Sequence, residues 1–209
     1  MLPLVLFADD TSGNRSKKWH KFESWYFKLA GLPHGIGTKL ENIHFVCSSD
    51  RVSALEMAEP IVEELIKLEN DGIEVYDAYF NTVVLVIAPV ICIVADNPMA
   101  SVLLNHLHGR ANKYCRFCTV DRNEDPTIVC SKRTRETALQ QMAEISSLRT
   151  EQAKAEMRTH YGVHENDNPL LFLPTDIYKM FPFEALHTLP LGPAKHLLRE
   201  EMPLLSKGQ

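Results

Sequence analysis

A chain of 209 residues, 45% hydrophobic and 23% charged, has the composition of a packed globular protein, which excludes wholesale disorder. Its net charge of −5 argues against a globally basic nucleic-acid binder, and no apolar stretch approaches the roughly 18 residues that a membrane span requires. The N-terminal MLPLVLFADD has no basic leader and no small-residue cleavage site, so it reads as a strand and the protein as not secreted. Five cysteines without a disulfide-type spacing fit a reducing compartment.

Residues 4–9 form a short apolar run that ends in Asp9-Asp10-Thr11-Ser12-Gly13-Asn14, a turn-forming cluster. This predicts a buried strand with carboxylates at its C-terminal end, the plainer alternative being acids in a turn. Residues 23–29 mix aromatic and β-favouring side chains and predict a second strand. Trp19, Trp25, Tyr26 and Phe27 are expected to pack in the core or at its edge. A third strand is predicted over 42–48, with Ile43, Phe45 and Cys47 on one side and a structural His44 on the other with Val46.

Ser53 followed by Glu56 is a capping-box pattern, and Leu55, Ala58, Ile61, Val62, Leu65, Ile66 and Leu68 then recur at helical spacing. Asn70-Asp71-Gly72 closes that helix. Residues 73–79 and 83–94 predict two strands about a Phe80-Asn81-Thr82 turn, the second long enough to be central in a sheet. Pro89 cannot donate to a ladder, so it predicts a bulge or break that frees a separate buried strand, 90–95, ending at Asp96. A helix is expected over 99–107, a loop-rich basic region as far as Ser131, and one polar helix over 132–161. Residues 166–183 read as a proline-punctuated connection, and 183–199 as a final apolar segment carrying Glu184 and His187.

Two carboxylates at the tips of neighbouring strands are what two-metal phosphoryl transfer requires, since Mg²⁺ or Mn²⁺ takes hard oxygen ligands. Asp9 and Asp96 meet that requirement if their strands are adjacent and parallel. A third acid is expected from a later helix, with Glu184 the first candidate and Glu144 and Glu156 behind it. Cys115-Arg116-Phe117-Cys118 places two thiols where they can chelate Zn²⁺ from one turn, with His106, His108 and Cys130 available to complete four ligands. A redox pair or two inert buried thiols are the alternatives. Seven basic residues lie between Arg110 and Arg135 and predict a knuckle that touches phosphate. His160, His164 and His196 have no partners at ligand spacing and read as surface or capping residues.

The blocks FADDTSGNRSKKWHKFESWYFKLAGLP, ADNPMAS, YCRFC and EALHTLPLGPAKHLL, in this order, resemble DDE transposases of the Plavaka type, distant relatives of the CACTA (En/Spm) transposases. The resemblance covers roughly residues 4–198. It implies an RNase H-like catalytic core, with the first acid at Asp9 in preference to Asp10, the second at Asp96, and a shared C-x-x-C at Cys115 and Cys118. The CACTA-like pattern places a Glu after the His of the LHT block, where this chain has Thr188 and Leu189; Glu184 is the nearest acid. Members of that family are longer at both ends, so the resemblance implies an incomplete copy.

The expected architecture is therefore α/β: an RNase H-like mixed sheet with flanking helices over 1–108, a basic Cys/His knuckle over 109–131, and a helical segment over 132–209. The expected function is metal-dependent cleavage and transfer of DNA strands, in the nucleus, with no membrane partner and with oligomers in a full-length form. A zinc-stabilised, non-enzymatic DNA- or protein-binding relic is the rival expectation. An ordinary single-metal hydrolase is a third, and it would set Asp96 far from Asp9.

Overall fold

The computed structural model describes residues 1–12, 21–125, 127, 130–164 and 167–199. Strand β1 (Leu4–Ser12) alternates Leu4, Leu6 and Ala8, all buried, with Val5, Phe7 and Asp9 on its other side. It pairs antiparallel along its whole length with β2 (Lys21–Leu29), as far as Ser12 against Lys21. The strand is thus longer than its apolar run, because hydrogen bonding to β2 holds the polar residues extended. Asp9 and Asp10 lie inside a ladder and not in a turn. Trp19 and the Gly13-Asn14 pair fall outside the described residues.

After a short helix α1 (His34–Gly37), β3 (His44–Ser49) adds to β2, and β6 (Val90–Val94) adds parallel to the other edge of β1. The sheet order is β3-β2-β1-β6, three antiparallel strands and one parallel strand. Between them runs α2 (Ala54–Asn70), whose Ser53 Oγ accepts from Glu56 N–H while the Glu56 carboxylate accepts from Ser53 N–H, so both halves of the capping box form. Leu55, Ala58, Val62 and Leu65 pack its buried stripe onto the sheet, and Trp25 Nε1 donates to Ala54 O at 3.0 Å.

The apolar run over 83–94 divides at Pro89 into a hairpin arm and a separate strand, as its missing donor predicts. Strands β4 (Ile73–Asp77) and β5 (Thr82–Val86) form a separate two-stranded sheet with Ile73, Tyr76, Val83 and Leu85 exposed, and Pro89 precedes β6. Helix α3 (Asn97–Leu103) begins and ends earlier than its expected range, since Asp96 is already its cap and Asn105 turns left-handed at φ 53°.

The expected single helix over 132–161 is two: α4 (Arg135–Ser147) and α5 (Glu151–Tyr161). Thr134 and Thr150 are their caps, each side chain accepting the N–H three residues on, from Thr137 and Ala153 at 3.2 Å. Residues 168–181 also depart from their sequence reading as connection. Leu170, Leu173 and Ile177 are wholly buried and join the cluster formed by β1, β6, α2 and α3. Asn168 completes that join by donating from Nδ2 to Leu103 O at 2.8 Å. Two short helices follow, α6 (Ile177–Met180) and α7 (Ala185–Thr188). Among the described residues no helix is long and apolar enough to cross a membrane.

Candidate active site and thiol turn

The parallel pairing of β1 with β6 sets Leu6 against Ile93 and Phe7 against Val94. Asp9 and Asp96 each stand two positions beyond that last pair, Asp9 still within β1 and Asp96 past the end of β6 as the cap of α3. A register shift between Leu4 and Val5, opposite exposed Ile91, decides which way the end of β6 faces. Val90 is buried, and without the shift strict alternation would send Cys92 and Val94 to the core. With it, Ile93 and Ala95 are buried and Val94 pairs with Phe7 on the side of Asp9.

That side is the open face of the sheet. Phe7, Tyr26 and Phe45 form a row across it at centroid spacings of 6.2 and 5.5 Å, above a groove of 390 Å³ whose lining includes Phe7, Asp9, Tyr26, Ile43 and Val94. Asp10 points the other way and pairs with Lys21 at 2.6 Å. The Lys21 pKa is raised, first by this hydrogen bond and then by the negative charges of Asp10, Glu23 and Asp96.

Asp96 has two tasks. As the cap of α3 its Oδ1 accepts Met99 N–H at 2.7 Å, which leaves Oδ2 for another ligand. Asn97 follows it and touches two distant segments. Its Oδ1 accepts from Arg116 NH1 at 2.8 Å, and its Nδ2 reaches Thr188 Oγ1 at 3.5 Å. Thr188 closes α7, where its N–H donates to Glu184 O. Half-buried Glu184 therefore sits on a segment tied to the turn that holds Asp96. The His187 side chain is outside the described set, and Glu144 instead accepts a hydrogen bond from Tyr161 OH between α4 and α5.

The thiols form a second group. Phe117 N–H donates to Cys115 Sγ at 3.4 Å, and Val120 N–H donates to Cys118. Burial pushes the Cys118 thiol up, the Val120 hydrogen bond pulls it down, and Cys115 and Cys130 act as its electrostatic neighbours. Residues beyond Cys130 run back along the turn: Lys132 bridges Cys118, Arg133 N–H donates to Phe117 O at 2.8 Å, and Arg133 Nε donates to Cys115 O and Cys118 O at 3.1 and 3.2 Å.

The histidines group apart from the thiols. His106 is 2% exposed, its Nε2 lies 2.9 Å from Lys113 O, and among the described residues its Nδ1 meets no partner. Burial depresses its pKa to about 4, with Arg133, His108 and His164 adding repulsion. His108 faces His164 at 6.0 Å between centroids. Among the described residues no three His, Cys, Asp or Glu side chains converge to hold an ion.

The basic segment is used differently from its sequence reading. Arg116 and Arg133 are buried, and part-buried Arg135 donates from NH1 to Leu173 O at 2.6 Å, so three of the seven cations brace the fold. Sequence reasoning saw their charge but not these partners, which come from segments up to 38 residues away. No protein-family model matches the chain, and no curated protein matches it.

Proposed function

We propose that this chain is the RNase H-like catalytic part of a DDE transposase-like protein, acting on DNA in the nucleus. The observation that supports this reading is the parallel pairing of β1 with β6, whose last pair, Phe7 and Val94, stands two residues before Asp9 and Asp96. The sheet order β3-β2-β1-β6 agrees with it, as does the approach of α7, and with it Glu184, to the Asp96 turn.

Asp9 and the uncapped oxygen of Asp96 would hold Mg²⁺ or Mn²⁺, with Glu184 as the third acid. When bound, two such ions activate an attacking hydroxyl and stabilise the leaving oxygen of an in-line displacement. The chain's own residues provide the frame. The Met99 N–H fixes the Asp96 carboxylate, and Asn97 orients the turn between Arg116 and Thr188. The test is Mn²⁺-dependent nicking of supercoiled DNA by a longer form of the protein, which Asp9→Ala and Asp96→Ala should each abolish. Nicking that survives both changes refutes the assignment.

A second reading has its own observation. The Cys115 and Cys118 sulfurs each accept a backbone N–H from the residue two positions on, and Cys118 interacts with Cys130, soft ligands of the kind a structural Zn²⁺ takes. On this reading the chain is a zinc-stabilised DNA- or protein-binding relic whose acids no longer act together. Stoichiometric zinc that Cys115→Ser removes, with no Mn²⁺ bound at Asp9, would favour it.

A further inference from the structure

Arg116 lies inside the C-x-x-C turn and is 9% exposed, yet among the described residues its side chain hydrogen-bonds to Asn97 Oδ1 through NH1 while its buried Nε and NH2 meet no acceptor. A buried guanidinium satisfied at one corner is costly, and an apolar side chain of similar volume would fill the space without that cost. Its surroundings show what the charge is placed against. The guanidinium sits 4.9 Å from the Phe117 ring centroid and 5.4 Å from that of Phe183, and those two rings pack at 4.6 Å. Asn97 directly follows Asp96, and Phe183 directly precedes Glu184. Asp96 also supports the Arg116 charge, against the desolvation that lowers its pKa.

We infer that Arg116 is a positioning residue that couples the thiol turn to both carboxylate-bearing segments. It holds Asn97 by a hydrogen bond and Phe183 by its ring face, so the conformation of 115–118 sets where Asp96 and Glu184 stand. The inference rests on the catalytic reading for the purpose of the arrangement, but the mechanical coupling stands on its contacts alone.

The experiment is amide hydrogen exchange on the whole chain, compared among wild type, Arg116→Met, Asn97→Ala and the double variant, followed by Mn²⁺ titration of each. Arg116→Met preserves volume and removes the buried charge, so the protein should fold. The Ala100 and Thr188 amides should exchange about tenfold faster in each single variant, and the Ala100 amide no faster still in the double, because both variants break the Arg116–Asn97 link. Cys115→Ser should speed the same amides in wild type and add nothing in Arg116→Met. Unchanged exchange at both amides in Arg116→Met, or additive effects at Ala100 in the double variant, would overturn the coupling. Faster exchange in a protein whose wild type binds no Mn²⁺ would leave the brace standing and remove the catalytic reading.

Discussion

Asp96 stands two residues past Val94 and Asp9 two past Phe7, and Phe7 and Val94 are the last pair of the parallel ladder. Asp9 is held by the ladder with β2, and Asp96 by its cap bond to α3 just past the end of β6. Asp96 is also a helix cap, so two roles must be separated. Asn caps a helix as well as Asp does, whereas Ala forfeits about 0.5–2 kcal/mol. Asp96→Asn should keep the wild-type Tm while losing Mn²⁺ binding, and Asp96→Ala should lose both. Mn²⁺ affinity measured by electron paramagnetic resonance decides it: retention in Asp96→Asn would mean that the carboxylate is only a cap.

His106 predicts the acid sensitivity of the fold. Its pKa of about 4 lies below the ordinary 6.5, so the unfolded chain binds the extra proton first as pH falls. Stability is fully present above pH 6.5 and is lost progressively down to about pH 4, by up to about 3 kcal/mol. His164, also depressed by burial, adds in the same direction. His106→Gln keeps a donor toward Lys113 O and cannot titrate. Urea melts at pH 7 and pH 4.5 should therefore show a smaller stability difference in the variant than in wild type, and equal differences would rule His106 out as the source.

Much of the sheet was legible because its signals are local. Leu4, Leu6 and Ala8 alternate, Ser53 and Glu56 form their box, and Pro89 breaks the apolar run just before β6. The misses share a physical cause, which is that a distant partner decided the outcome. The break between α4 and α5 has no Gly or Pro; Thr150, which reads as helix interior, is a cap. The segment around Leu170 and Ile177 shows prolines first, and only α2 and α3 reveal it as core. Arg116, Arg133 and Arg135 read as a solvent-facing patch because composition does not show that a guanidinium has found a carbonyl. The pairing of Val94 with Phe7 depends on the bulge at Ile91, which Pro89 foreshadowed as a bulge or break but did not locate.

The thiol turn gives a prediction that separates metal from redox chemistry. If Cys115, Cys118 and Cys130 hold zinc, chelation by EDTA should lower Tm, and added Zn²⁺ should restore it by mass action. Cys118→Ser should remove both responses, since Cys118 is the thiol that neighbours the other two. A Tm that ignores EDTA but shifts with dithiothreitol would instead identify a reducible pair.

Gly72 tests the joint between α2 and the β4–β5 hairpin. Its φ is +71°, and a Cβ there would lie 2.8 Å from Val86 O and 3.1 Å from Leu85 Cδ1. The first contact is backbone and cannot swing aside, so Gly72→Ala combines left-handed strain with a clash and should cost about 1–3 kcal/mol. Gly109 is the control, with nothing within 4 Å of its added Cβ, and Gly109→Ala should stay within about 0.5 kcal/mol of wild type. Denaturant midpoints of the two variants measure this directly. Equal midpoints would mean that the hairpin shifts to admit the methyl group and that its seating on α2 is loose. A large loss confined to Gly72→Ala, with Mn²⁺ affinity unchanged, would place the hairpin outside the carboxylate site while showing that α2 and the hairpin melt with the fold.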